Sequence, residues 1–216
     1  VWNSDVPFST FFGNSLKVTI LSVAGEVFTS SLAAYAFAKI KFKGRDVIFL
    51  IYLSTLAFPA QMMLIPRFTM FRTIGLYNTH WALILPGMFT AFGTFMLRQF
   101  FMSIPEELSE SAKIDGANHF TIFSKIILPL AVPAFSALII FQFVSSWNEY
   151  ESALVYIRSK ELATIPLGLN FFKDENASSY GAIMAASVCS LIPIFTVFLI
   201  FQKQFVAGIA TSGMKE

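Results

Sequence analysis

The chain has 216 residues, 56% of them hydrophobic and only 13% charged, with a formal net charge of +2. Soluble domains carry about 25% charged residues, and a soluble fold of this size would leave such an apolar excess as large exposed patches. The 26 phenylalanines argue against disorder, the single cysteine against a disulfide framework or cysteine-built zinc site, and the small net charge against a nucleic-acid partner.

The expected fold is therefore an all-α integral membrane protein, a polytopic helical bundle. A spanning helix needs about 20 mostly apolar residues. Five stretches approach this, at residues 16–38, 47–66, 81–97, 130–147 and 181–201. The third and fourth are short, so their helices are expected to run past these limits. The five spans leave no room for a separate soluble domain. The connecting segments differ in charge. Nine cations (Lys39, Lys41, Lys43, Arg45, Arg98, Lys113, Lys125, Lys203 and Lys215) fall on one side, and five (Arg67, Arg72, Arg158, Lys160 and Lys173) on the other. The positive-inside rule assigns the first side, and the end of the chain, to the cytoplasm. A chain that starts outside without an initiator Met is expected to lack an upstream segment, either a cleaved signal or, the favoured reading, a further span.

Within the spans, Pro59, Pro66, Pro86, Gly87, Gly93, Pro133 and Pro193 interrupt helices. The carbonyls they free must be met by protein or by water in a cavity. Ser30, Ser31, Ala33 and Ala34 allow close helix approach. Glu26 and Gln142 lie inside spans, and Asn148 and Glu149 lie at the outer end of the fourth. Such polar groups serve either as interhelical hydrogen bonds or as functional groups of a pathway. Trp147 and Tyr150 read either as an aromatic belt or as aromatic faces of such a pathway. Cys189 reads as a small buried hydrophobe.

The segment 103–129 lies between spans yet reads as helical. Ser103 and Glu106 fit a capping box, with Pro105 in the first turn, and Glu106, Glu107 and Glu110 suit a helix start. Gly116 allows a sharp turn into a second short helix with apolar Phe120, Phe123, Ile126 and Ile127. A pair of helices with small and apolar residues on the water side either lies flat on the bilayer or docks into a groove on another protein.

The residues here also form a known pattern. Glu110-Ser111-Ala112, three residues, Gly116, nine residues, then Ile126, Leu128 and Pro129 resembles the EAA loop of binding-protein-dependent ABC transporter permeases, with Ser111 in place of the usual Ala. Asp115-Gly116-Ala117 resembles the same loop's D-G-A. AAYAFAKIKFKGRD at 33–46 and the segment 66–86 resemble further stretches of the family, and WNEY at 147–150 resembles the W-N-[ED]-[FY] of its carbohydrate-importing branch. The similarity covers nearly the whole chain and is to the second permease subunit of maltose-type sugar importers.

The resemblance implies a single transmembrane domain over 1–216 with type I ABC importer architecture, where the family has six spans. It implies that the loop 103–129 couples to an ATPase through Glu110, Ser111, Ala112, Ile114, Asp115, Gly116, Ala117 and Phe120. Ala112 and Ala117 would permit close approach to that partner. Gln142, Trp147, Asn148, Glu149 and Tyr150 become pathway candidates. The extracytoplasmic loop 151–179, with Pro166, Gly168, Phe171 and Phe172, would meet a solute-binding protein. The tail 208–216 resembles one that reaches toward the ATPase pair. Expected partners are a second permease subunit, two ATPase subunits, the solute-binding protein and membrane lipid. No G-x-x-x-x-G-K-[ST] occurs, so no cofactor or metal is expected on this chain, and ATP and Mg belong to the ATPase subunits. No catalytic residue is expected, since no H-E-x-x-H or His–Asp–Ser constellation is present and both histidines flank spans. The expected function is sugar or oligosaccharide import by alternating access. The alternatives are a polyol or glycerol-phosphate-type cargo, or an ion-coupled secondary transporter using Glu26 and Glu149.

Overall fold

The computed structural model describes the backbone of residues 7–175 and 180–213 and, within these, the side chains apart from those of 171–175, 180, 182 and 207–213. All regular structure among the described residues is helical. Helix α1 (Phe8–Lys39) has 32 residues, about 48 Å at 1.5 Å per residue. It is the axis of the bundle and packs on α4 (Trp81–Met88), α5 (Ala91–Ser103) and α9 (Val132–Trp147). Its buried face carries an unusual row of polar residues: Ser15, Thr19, Ser22, Glu26 and Ser30. They recur every three or four residues and so share one side of the helix.

Three helices are long and apolar enough to span a membrane: Phe8–Lys39, Trp81–Ser103 and Ile183–Val206, the last inside α12 (Tyr180–Gly213). Counting each of two bent pairs as one span brings the number to five, the number the hydropathy pattern predicts. The second expected span is not one helix. Helix α2 (Arg45–Ser54) runs through a 3-10 turn into extended Phe58, and α3 (Leu64–Thr73) leaves after Pro59. The two arms meet at 91°. Phe58 precedes a proline, whose ring excludes it from the helical region. The third span does extend past its expected end, to Ser103. A second bent pair, His119–Leu130 and Val132–Trp147, meets at 75°; its second arm carries the expected fourth span, and its first arm leads out of the segment 103–129. That first arm comprises α7 (His119–Ile122), a π-helical turn Phe123–Ile127 and α8 (Leu128–Leu130).

Two apolar clusters hold the ends of the bundle. One gathers Ala34, Tyr35, Leu97, Phe101, Ile104, Ile122, Phe123, Ile127 and Leu138 around the segment 103–129. Truncating a wholly buried Leu97 or Ile127 to Ala costs about 2–5 kcal/mol. The other gathers Phe8, Phe11, Phe143, Trp147, Ile157 and Ile165 at the opposite end. There the 3-10 turn Lys160–Leu162 and α11 (Ile165–Glu175) pack on α1, while α10 (Glu151–Tyr156) packs on α3 and α4. Asn14 donates to the carbonyls of Glu161 (2.8 Å) and Ala163 (2.9 Å), and the Ile165 N–H donates to Ser15 Oγ (2.8 Å).

Candidate functional site

The segment after α5 is a helical hairpin. Ile104 is extended because Pro105 follows it, so the chain leaves α5 there and re-enters helix as α6 (Glu106–Ile114). The expected capping box does not form. Ser103 stays in the last turn of α5 and donates to the Phe100 carbonyl (2.8 Å), and α6 has no side-chain cap. Glu106 instead pairs with Lys41 at 3.0 Å, and that contact holds its carboxyl below the usual range. Helix α6 ends in the two-bond glycine motif. Gly116 has φ +84°, Ala117 N–H donates to Ala112 O (2.9 Å), and Gly116 N–H to Lys113 O (3.0 Å). Asn118 then caps α7 by accepting from the Thr121 N–H at 2.9 Å. The signal for this cap in sequence is Asn118 standing just before the short apolar helix.

The hairpin has an inner and an outer face. Ala112 and Ala117 are half-buried against the chain's own apolar cluster. The close approach that these small residues allow is therefore to this chain's core. Glu110, Ser111, Asp115 and Gly116 are exposed. Ile114 and Phe120, 87% and 74% exposed, point two large apolar side chains outward. The base of the hairpin is fixed to the end of α1. Lys39 Nζ donates to Ile104 O (2.7 Å), and the Tyr35 hydroxyl lies 3.2 Å from His119 Nδ1. Beside it, buried Arg98 joins three helices. Its Nε donates to Phe37 O (3.2 Å), its Nη2 to Asp46 Oδ1 (3.1 Å), and the guanidinium sits 4.0 Å from the Phe49 ring centroid.

A second polar group lies at mid-span, where α4 and α5 are separated by Phe89 and the extended Thr90. Gln142 Nε2 donates to Gly87 O (2.9 Å), Thr29 Oγ1 to Met88 O, and Thr90 Oγ1 to Glu26 Oε1. These side chains meet the groups that the break frees, as the absence of bulk water requires.

The pathway candidates are dispersed. Trp147 is 2% exposed, stacked on Phe143 at 5.6 Å and donating to Ser190 O (3.0 Å). It is a core residue and offers no open stacking wall. Exposed Asn148 donates to Val144 O (2.9 Å), and Glu149 accepts from the Ser152 N–H (2.8 Å) at the start of α10. Tyr150 is half-buried, with Asn170 donating to its hydroxyl at 2.6 Å. Pro166 is half-buried, and Gly168 is buried against the Phe11 ring, so its place in a partner contact has no open surface. The side chains of Phe171 and Phe172 lie outside the described residues. So do 214–216 of the tail, whose backbone is helical to Gly213. Among the described residues no group of three or more His, Cys, Asp or Glu is placed to hold a metal.

A bundle of straight and broken spans, with one amphipathic hairpin fixed to its end, is the shape of a membrane permease subunit. The chain belongs to the family of binding-protein-dependent transport system inner membrane components, whose model matches residues 26–211. It is 37% identical over 206 residues to an arabinooligosaccharides transport system permease protein, AraQ, of Halalkalibacterium halodurans, covering 95% of this chain and 74% of the relative. It is 35% identical to a sulfoquinovosyl glycerol transport system permease protein, SmoH, of Agrobacterium fabrum, covering 98% and 75%. A bacterial ABC transporter involved in the import of the acidic polysaccharide alginate superposes with a TM-score of 0.78 at 32% identity, covering 92% of this chain and 75% of that one. A second alginate transporter structure, in complex with an alginate pentasaccharide-bound periplasmic protein, shares the fold at TM-score 0.71 and 19% identity.

Proposed function

We propose that this permease carries a sugar or oligosaccharide across the cytoplasmic membrane, and that its 106–122 hairpin docks into a separate ATPase subunit. The observation that carries the docking is the outward placement of Ile114 and Phe120 on an element whose other face is fixed to α1 and α5. Exposed Glu110, Ser111 and Asp115 would frame the contact and supply charge for a basic partner. ATP and Mg would be held by two such ATPase subunits. The nine-to-five bias of cations supports a cytoplasmic hairpin and C-terminus.

Relatives named for arabinooligosaccharides, galactooligosaccharides and lactose support the sugar cargo. The sulfoquinovosyl glycerol relative favours a second cargo reading, a glycoside of glycerol. The opposite end of the chain, with Asn148, Glu149 and Tyr150 beside α11, would receive solute from a binding protein. The apolar outer face of α2, including exposed Val47, Leu50 and Ile51, would meet lipid or a second permease subunit. Uptake of labelled oligosaccharide into vesicles holding the complete assembly tests this reading. Uptake that requires ATP and the binding protein supports it. Uptake that survives ATP depletion and collapses with the proton gradient would favour the ion-coupled alternative.

A further inference from the structure

The break in the third span is gripped from both sides. Helix α4 ends with the carbonyls of Gly87 and Met88 released from their own helix, and each is met by a neighbour, Gln142 of α9 and Thr29 of α1. Thr90 works in two directions. Its Oγ1 accepts the Gly93 N–H (3.0 Å), which starts α5, and donates to Glu26 Oε1. Gly93 makes room for this, since a Cβ there would lie 2.7 Å from both Glu26 Oε1 and Ser30 Oγ. Glu26 is 1% exposed and has no ion-pair partner among the described residues.

Three buried polar atoms of the same row have no hydrogen-bond partner: Glu26 Oε2, Ser22 Oγ and Ser30 Oγ. Ser22 and Ser30 stand one turn to either side of Glu26 on the same face of α1. Unmet polar atoms are costly in a membrane interior. Their regular spacing beside an occupied rung is what a second register of the third span along α1 would use. Packed helices change state by such one-turn steps.

We propose that Glu26 is a positioning residue for translocation. It holds the third span in this register as a hydrogen-bond acceptor, and Ser22 and Ser30 are the rungs to which the span's polar groups move when the pathway opens to the other side. The proposal deepens the transport reading and does not depend on the identity of the cargo.

Two measurements on the complete assembly test it. Spin labels at exposed Phe28 and Phe92 report α1 against α5 in the nucleotide-free and nucleotide-trapped states. A displacement of the order of one turn, about 5 Å along the axis, is expected. A single unchanged distance overturns the proposal, whatever solute is carried. In uptake assays, S22A and S30A should lower the maximal rate roughly threefold to tenfold, with KM and the melting temperature unchanged, because those hydroxyls bond nothing in the present register. E26L and T90V should each lower it about tenfold or more without adding in the double variant, and E26Q should stay within about twofold, since its amide oxygen still accepts from Thr90. Wild-type rates in S22A and S30A, or E26Q as impaired as E26L, contradict the proposal. Failure of the cargo reading would appear separately, as wild-type vesicles that take up no glycoside.

Discussion

Tyr35 and His119 are 84 residues apart in sequence, yet the Tyr35 hydroxyl lies 3.2 Å from His119 Nδ1. This contact joins the end of α1, the longest of the candidate spans, to the second limb of the hairpin. With Lys39 on the Ile104 carbonyl, it gives any displacement of the hairpin a direct path into α1. The path does not depend on the helices that flank the hairpin in sequence.

Tyr35→Phe should separate this connection from packing. The ring keeps its neighbours, with Phe123 centred 5.1 Å away, and loses only the hydrogen bond. The expected loss of stability is about 1 kcal/mol, read from denaturant or thermal melts of the purified assembly. The expected loss of solute uptake per ATP hydrolysed is larger than that change would suggest. An unchanged ratio would assign the pair to stability alone.

Gly116 and Gly93 should fail for opposite reasons. A Cβ at Gly116 meets nothing within 4 Å, so its constraint is the φ of +84°, which costs an L-residue about 1–2 kcal/mol. Gly116→Asp should therefore leave the subunit in the membrane and abolish transport. Normal solute-stimulated ATP turnover in that variant would remove the hairpin from the coupling path.

Gly93→Leu instead crowds Glu26 and Ser30 in a close-packed seam. A loss of roughly 1–3 kcal/mol is expected, visible as a lower melting temperature and a lower yield of assembled complex. A melt equal to the wild type would show that the seam yields easily.

His80 supplies a pH dependence at the opposite end of the bundle. Its Nε2 lies 3.1 Å from the Leu162 carbonyl, tying the start of the third span to the loop before α11. Burial lowers its pKa from the ordinary 6.5, opposed by the Leu162 contact and aided by the Lys17 charge. The unfolded chain then takes up a proton at a higher pH than the folded one. Stability from this group is complete above about pH 6.5 and falls as the pH drops below it. Melting temperatures at pH 8 and pH 5.5 should differ less in His80→Gln than in the wild type. An equal pH dependence in both would assign the effect elsewhere.

The hairpin was legible in sequence because its determinants are local. Acidic residues open α6, Gly116 ends it, and the turn needs no distant contact. The capping box failed on a local rule of higher rank. Pro105 forces Ile104 to be extended, so Ser103 belongs to the helix before. Spans were legible by hydropathy, but the 91° and 75° bends were not, because a proline marks only a candidate break, which Pro193 inside the continuous α12 does not make, and leaves the angle to packing. The polar seam was half legible. Glu26 and Gln142 stand out in apolar helices, whereas Thr29, Thr90, Ser22 and Ser30 do not, since hydroxyls in helices commonly bond their own preceding turn. Trp147 reads as a belt residue by position, and only the packing of α12 and Phe143 around it buries the ring.

Cysteine cross-linking at the hairpin tests the central claim most directly. With Cys189 replaced by Ser, single cysteines go in at Ile114 and Phe120, and at exposed Arg158 at the other end as a control. A short bifunctional reagent is applied to the complete assembly, and the partner captured is assayed for nucleotide hydrolysis. Capture of an ATPase subunit from positions 114 and 120, and not from 158, is the predicted result. Cross-links from the hairpin that contain no nucleotide-hydrolysing subunit, or equal capture from position 158, would contradict it.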